Sequence, residues 1–152
     1  IQNCSYYLEY AFIRKISNCG LNKYSFSLIH FNIRSAPRNL DKVEQLIDIL
    51  EMDFTVIALS ETWLNCNNSN YYSLPGYNIE SQFRKDRMGG GVSVLIKAPI
   101  NYILREDLSV FNSNFESVFI EIFHSQESLS IDKDIVVGVI YRPPGMNVEE
   151  FL

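Results

Sequence analysis

The stretch DFTVIALSE, from Asp53 to Glu61, constrains this chain more than any other part of it. An apolar run this short and this even lacks the alternation of a strand with one wet face, so it reads as a strand buried on both faces. Other layers of structure must then cover it on either side. Just before it, Leu40, Val43, Leu46, Ile47 and Leu50 fall on one helical face, with Asn39 placed to cap the exposed amides at the helix start. Earlier still, SFSLIHFN from Ser25 to Asn32 mixes aromatic and β-branched residues in a run of strand length. The three together predict a strand, helix, strand unit.

Beyond that unit the texture becomes β-rich. Tyr77 to Arg84, Gly91 to Lys97, Ser117 to Phe123 and Ile135 to Tyr141 each read as strands. Turn-forming clusters separate them at Asp86 to Gly90, Asn112 to Asn114 and Pro143 to Gly145, and the Asn- and Ser-rich segment Asn65 to Pro75 reads as a surface loop. Residues 1–23 show no clear period, so 1–24 are read as a leader and 25–152 as one α/β domain, without repeats or low-complexity tracts. With 152 residues, 47% of them hydrophobic and 13% aromatic, the chain has the material for a substantial core, and disorder is excluded.

Charge limits the function classes. A net charge of −5 gives no global pull on nucleic acid, so any DNA-binding surface must be local. Cys4, Cys19 and Cys66 lack zinc-type spacing and are odd in number, which fits a reducing intracellular compartment. The most apolar early piece, Tyr6 to Ile16, is interrupted by Glu9, Arg14 and Lys15, so neither a signal peptide nor a membrane anchor is expected. The sequons at Asn3 and Asn67 carry no weight without a secretory context. The chain opens on Ile1 and stops at Glu149-Glu150-Phe151-Leu152, in what reads as the first turn of a helix, so both ends read as cut.

Several strand ends carry polar groups, which is where α/β folds place chemistry. Asn32 ends the first strand, in HFNIRSA; its ordinary role would be a local turn bond. Glu61 ends the second, in LSETWL; a carboxylate there is either paired or cation-bound, or else simply solvated where the strand stops. Tyr141-Arg142-Pro143-Pro144 closes the last strand. Its two prolines fix the chain so that the Tyr141 hydroxyl and the Arg142 guanidinium can face a phosphate, or they serve only as a rigid strand exit with Tyr141 packed in the core.

The segments HFNIRSA, LSETWL, MGGGVSVLI and VIYRPP, in that order and spacing, resemble the endonuclease domain of non-LTR retrotransposon polyproteins of the Jockey-like and CR1-like groups. That domain is related to abasic-site repair enzymes in the endonuclease/exonuclease/phosphatase superfamily. The resemblance runs from Ser25 to Leu152 and implies a four-layer α/β sandwich, two packed mixed β-sheets flanked by helices, cut short at the C-terminus. Glu61 matches the family glutamate that binds Mg2+, with Mn2+ as a substitute, a hard cation suited to carboxylate oxygen. Asn32 matches the active-site asparagine that organises metal ligand and phosphate, and Tyr141 the tyrosine that donates to the phosphate. The implied substrate is double-stranded DNA, nicked to prime a reverse transcriptase in the same parent polyprotein. The implied site of action is the nucleus, after synthesis in the cytoplasm.

One position departs from the repair enzymes. They carry an acidic residue two positions after the asparagine, where this chain has Arg34, a residue suited to DNA phosphate instead. Arg142 is a second candidate phosphate contact. Arg38 and Lys42, and the group Arg84, Lys85 and Arg87 before Met88-Gly89-Gly90-Gly91, read as solvated surface or as DNA contacts. The triple glycine reads as a tight strand connection that needs unusual backbone angles.

The family's later aspartate, asparagine and aspartate-histidine motifs do not occur by Leu152, and neither His30 nor His124 stands in their context; His124 falls in a polar linker and reads as exposed. The chain alone is therefore expected to be inactive or nearly so. Two other classes stay open: a superfamily phosphatase or lipid phosphodiesterase acting on a non-nucleic substrate, and a non-catalytic retrotransposon remnant.

Overall fold

The structure, a computed structural model, describes residues 8–18, 25–84, 89–112 and 115–144. Cys4, Cys19, Lys85, Arg87, the turn residues 86–88, 113–114 and Gly145, and the helix turn expected at 149–152 lie outside them.

The strand expected from DFTVIALSE is β2, Val56–Ser60, and every one of its residues is buried. It runs parallel to β1, Leu28–Asn32, on one side and antiparallel to β4, Val92–Lys97, on the other. Strand β3, Tyr77–Gln82, completes a four-stranded mixed sheet in the order β1-β2-β4-β3. Alternate residues of β2 enter two different cores. Ile57 and Leu59 pack with Leu95 under helix α2, Ala36–Leu50, while Val56 and Ala58 pack with Val92, Val94 and Ile96 against a second sheet.

That second sheet is antiparallel throughout its described residues, in the order β5-β6-β9: Tyr102–Leu104, Glu116–Ile122 and Ile135–Tyr141. Its Val118, Ile120, Ile122, Val137 and Val139 supply the other half of the inter-sheet core. A helix layer, a mixed sheet and a second sheet are thus stacked as expected of the α/β sandwich, but among the described residues the second sheet is antiparallel rather than mixed and no helix covers its outer face. Two small strands between β6 and β9, here β7 at Ser125–Gln126 and β8 at Leu129–Ser130, form a separate hairpin.

Helix α2 begins earlier than its apolar pattern suggests. Its first turn holds Pro37, whose fixed φ suits that position, and its N-cap is Ser35 rather than Asn39. Asn39 lies one turn inside and works in the opposite sense: its Nδ2 donates to the carbonyls of Ile33 at 2.9 Å and Arg34 at 3.3 Å, tying the helix to the β1 exit. The buried stripe is Ala36, Leu40, Val43, Ile47 and Leu50, at spacings of three and four.

Strand β1 starts at Leu28 rather than Ser25; before it, Ser25 O and Ser27 N bond to the Thr55 hydroxyl, with Ser27 N donating to Thr55 Oγ1 at 3.0 Å, and Ser27 O accepts from Val56 N. Within the leader, helix α1, Glu9–Ser17, rests Phe12 and Ile13 on the α2 core. No residue of it is fully buried, but Phe12 and Ile13 share one helical face, a period missed in the sequence of residues 1–23. The Asn65 to Pro75 segment holds a 3-10 turn at Ser69–Tyr71 and anchors itself through buried Leu74.

Two tyrosines fasten the layers. The Tyr77 hydroxyl donates to the Phe54 carbonyl at 2.9 Å, and the Tyr102 hydroxyl crosses from the second sheet to Glu80 of the first at 2.9 Å. Burial, then the charge of Asp53, pushes Tyr77 up to about 12; burial, then the hydrogen bond to Glu80 and its charge, pushes Tyr102 up to about 12 as well. The folded state holds these protons more tightly than the unfolded chain, so their contribution is complete below the ordinary value of 10.0 and is lost as pH rises through about 12.

Unfolding midpoints should therefore fall as pH is raised above 10, with Tyr102→Phe flattening the dependence, and tyrosinate absorbance should show a class titrating near 12. In the doubly covered core, Ile57→Ala should cost about 2–5 kcal/mol in urea unfolding.

Candidate functional site

Parallel pairing of β1 and β2 brings two chain exits side by side, and the ladder continues past both strands. Ile33 N donates to Ser60 O at 2.9 Å, Ser35 N to Glu61 O at 2.8 Å and Ala36 N to Thr62 O at 2.7 Å. The chain accommodates this only by turning left-handed at non-glycine residues. Arg34 and Ser35 have φ of 44° and 98°, Glu61 and Trp63 of 55° and 56°. Such angles persist only where surrounding contacts enforce them, and they gather at functional sites.

The turn at Glu61 brings its carboxylate to Asn32, whose Nδ2 donates to Oε1 at 2.9 Å. Tyr141, at the end of β9 in the second sheet, arrives at the same carboxylate. Its hydroxyl is pushed above the ordinary value of 10.0 chiefly by burial, then by the negative charge of Glu61 and a hydrogen bond to it, with the Arg84 cation opposing the rise. Asn32 is hydrogen-bonded to Glu61, and Tyr141, from the other sheet, is near enough to feel the charge of that carboxylate. The amide is the donor to the carboxylate, and the phenol beside it stays protonated.

Arg34 and Arg142 are exposed next to these residues in sequence, Arg34 two positions after Asn32 and Arg142 directly after Tyr141. His30 bonds through Nε2 to the Ser60 hydroxyl at 3.2 Å, and His124 is exposed but paired through Nδ1 with Asp134 at 2.6 Å.

Arg84 corrects an expectation. It is neither solvated nor a surface contact: its side chain is only 10% exposed, and its Nε donates to Glu116, which is fully buried. Glu116 begins β6 directly opposite Tyr141 and also accepts from the backbone N–H of Gly91. Sequence reasoning missed it because the residues around it, NFESVFI, read only as a strand start. A glutamate with no apolar partner pattern carries no signal of its own.

The glycines behave as expected. Gly89, Gly90 and Gly91 all have positive φ, and the loop docks on the Glu61 turn: Thr62 N donates to Gly91 O at 3.2 Å and Trp63 N to Gly90 O at 2.9 Å. A Cβ at Gly91 would lie 2.5 Å from Thr62 Oγ1, and one at Gly90 2.7 Å from Arg84 Cζ.

For a divalent cation the donor set offers the Glu61 carboxylate and the amide oxygen of Asn32. Among the described residues no group of three or more His, Cys, Asp or Glu side chains forms a cage for a metal. One carboxylate beside open solvent suits Mg2+, which keeps most of its water and uses one or two carboxylates together with substrate phosphate.

Gly91→Ala should lower stability by about 1–3 kcal/mol more than Gly89→Ala in parallel urea titrations, since both have positive φ but only Gly91 meets a neighbour.

No protein-family model matches the chain, and no curated protein matches it. Among solved structures it is similar to the AP endonuclease LMAP from Leishmania major, with a TM-score of 0.59 and 14% identity over 83% of this chain. The chain spans 43% of that endonuclease's length. At this identity the likeness is one of fold, and the two-sheet α/β architecture is shared.

Proposed function

We propose that this chain is part of a magnesium-dependent phosphodiesterase that nicks double-stranded DNA. The observation that carries the reading is the bond from Asn32 to the Glu61 carboxylate, with Tyr141 close enough to feel that charge, at strand ends of a fold shared with an AP endonuclease. Glu61 is the metal-binding carboxylate, and Mn2+ can replace Mg2+; when bound, the cation neutralises charge on the scissile phosphate. Asn32 holds Glu61 in one orientation through its Nδ2 bond and leaves its own oxygen for cation or phosphate water. Tyr141 keeps its proton well into the alkaline range and so presents an O–H donor to a phosphate oxygen as charge builds there. Arg34 and Arg142 bind backbone phosphates on either side.

The wording of HFNIRSA, LSETWL and VIYRPP supports a narrower reading. In it the nick leaves a 3′-hydroxyl in nuclear DNA, from which a reverse transcriptase in the same parent polyprotein primes. The NIRS and YRPP segments also favour a DNA substrate over the small phosphoester or lipid substrates of other superfamily members. The residues that position the attacking water and the leaving group are, in this reading, not among these 152, which span 43% of the endonuclease that shares the fold, and the 152 residues alone are inactive or nearly so.

Plasmid nicking with Mg2+ tests this. The longer protein, carrying this sequence followed by the later motifs, should nick; its Glu61→Ala form should be silent, and Tyr141→Phe should lose about 10²-fold in rate. A longer protein that is folded, binds Mg2+ and leaves the plasmid intact would mark a non-catalytic remnant, and turnover of a small phosphoester without nicking would mark a phosphatase.

A further inference from the structure

A buried glutamate and a buried arginine lie behind the site, and nothing in the proposed chemistry uses them. Glu116 is fully buried and the Arg84 side chain nearly so. Such a pair costs several kcal/mol in desolvation, about as much as its attraction returns, and apolar residues of the same volume commonly serve stability as well or better. The arrangement here does more than neutralise charge. One oxygen of Glu116 takes Arg84 Nε and the other takes the N–H of Gly91. The carbonyls of Gly90 and Gly91 in turn receive the N–H groups of Trp63 and Thr62, the residues directly after Glu61. The Arg84 guanidinium lies against Gly90, where a Cβ would come within 2.7 Å of Cζ, so only glycine lets the loop sit this close. Arg84 Nη2 is buried without a hydrogen-bond partner, as is the Thr62 hydroxyl, so neither group holds the loop through a second bond. The Glu116 carboxylate is the fastener.

We infer that Glu116 and Arg84 are positioning residues that hold the Gly89–Gly91 loop, and through it the left-handed turn at Glu61, in the geometry the carboxylate needs. The inference rests on Glu61 being the working carboxylate of the proposed nuclease, but the mechanical coupling it describes exists with or without catalysis. Glu116 reaches Glu61 through the loop: its carboxylate holds Gly91 N, and the loop carbonyls hold the backbone at Thr62 and Trp63. Loss of the pair therefore loosens the turn at Glu61 from the backbone side, while leaving β2 and its two cores intact.

The double variant Arg84→Met with Glu116→Leu separates this from a role in stability, because it removes both charges together and keeps the volume. Native-state amide exchange on this chain is the primary readout. In the double variant the unfolding midpoint should hold or rise, while exchange at Thr62 and Trp63 speeds up by about tenfold or more and exchange across Val56–Ser60 is unchanged. Glu116→Gln, which keeps an acceptor but turns a donor toward Gly91 or Arg84, should show the same local loosening. Unchanged protection at Thr62 and Trp63 in a folded double variant would overturn the inference.

In the longer protein the double variant should lower kcat by about 10²-fold with KM held, the pattern of a displaced catalytic group. Full nicking by that variant would also overturn the inference. If the unmutated protein does not nick, the proposed function fails, and the exchange experiment still decides the coupling.

Discussion

Burial of β2 on both faces is the constraint from which the rest of the molecule follows. A strand whose side chains all avoid water needs a partner on each edge and a layer on each face, and the chain meets each demand from a different part of its sequence. β1 and β4 take the edges, α2 covers Ile57 and Leu59, and the second sheet covers Val56 and Ala58. Every apolar β2 side chain is then tightly neighboured, and removing any one leaves a cavity in the core it enters. The strand is held on both edges and both faces. It ends at Ser60, one residue before Glu61.

Rigidity at Ser60 and freedom beyond it are what make a site there practicable. A carboxylate on a long loop would sample many positions, whereas Glu61 is one peptide unit from a fixed strand and is pinned further by Ser35 N and by the flanking Thr62. The left-handed angles at Arg34, Ser35, Glu61 and Trp63 are the conformational cost of turning two parallel strand ends away from each other while keeping them bonded. They are tolerated because the ladder, the glycine loop and the α2 N-terminus over-determine the geometry. Strain and function coincide here for a mechanical reason: a relaxed turn would carry the Glu61 side chain out of reach of Asn32.

Residues with a periodic environment were legible in the sequence, and residues defined by a single long-range partner were not. β2, β9 and the buried stripe of α2 follow from apolar spacing, which reports a local condition repeated along the chain. The start of α2 was placed too late because Asn39 is a good cap in isolation, while its actual partners are carbonyls behind it and Pro37 suffices to begin the helix. Strands of two or three residues, such as β5, β7 and β8, are too short to show alternation. Asn32, Glu61 and Tyr141 stood out as polar groups at strand ends, strengthened by the motif resemblance. Glu116 and Arg84 did not, because they lie 32 residues apart and each is unremarkable until the other is seen.

The same contrast bears on how an acidic chain could engage a polyanion under the proposed reading. Three of its cations are already paired with carboxylates, Arg84 in the interior with Glu116 and, at the surface, Lys97 with Asp53 and Arg105 with Asp107 and Glu121. Counting lysines and arginines therefore misstates the field a phosphate would meet. What faces solvent around the β1 exit is Arg34 and Arg38, with Lys42 bonded to Asn39 one turn further along α2. Arg34 lies on the connection that leaves Asn32, and Arg38 and Lys42 follow in the first turns of α2, beside exposed Asp41 and Glu44. Within a Debye length of about 8 Å such local placement outweighs the net charge, since distant carboxylates are screened and near guanidinium groups are not. The overall negative charge and a local phosphate contact are thus compatible under the proposed reading, with Arg84 serving the scaffold and the exposed Arg34 standing beside the Glu61 turn.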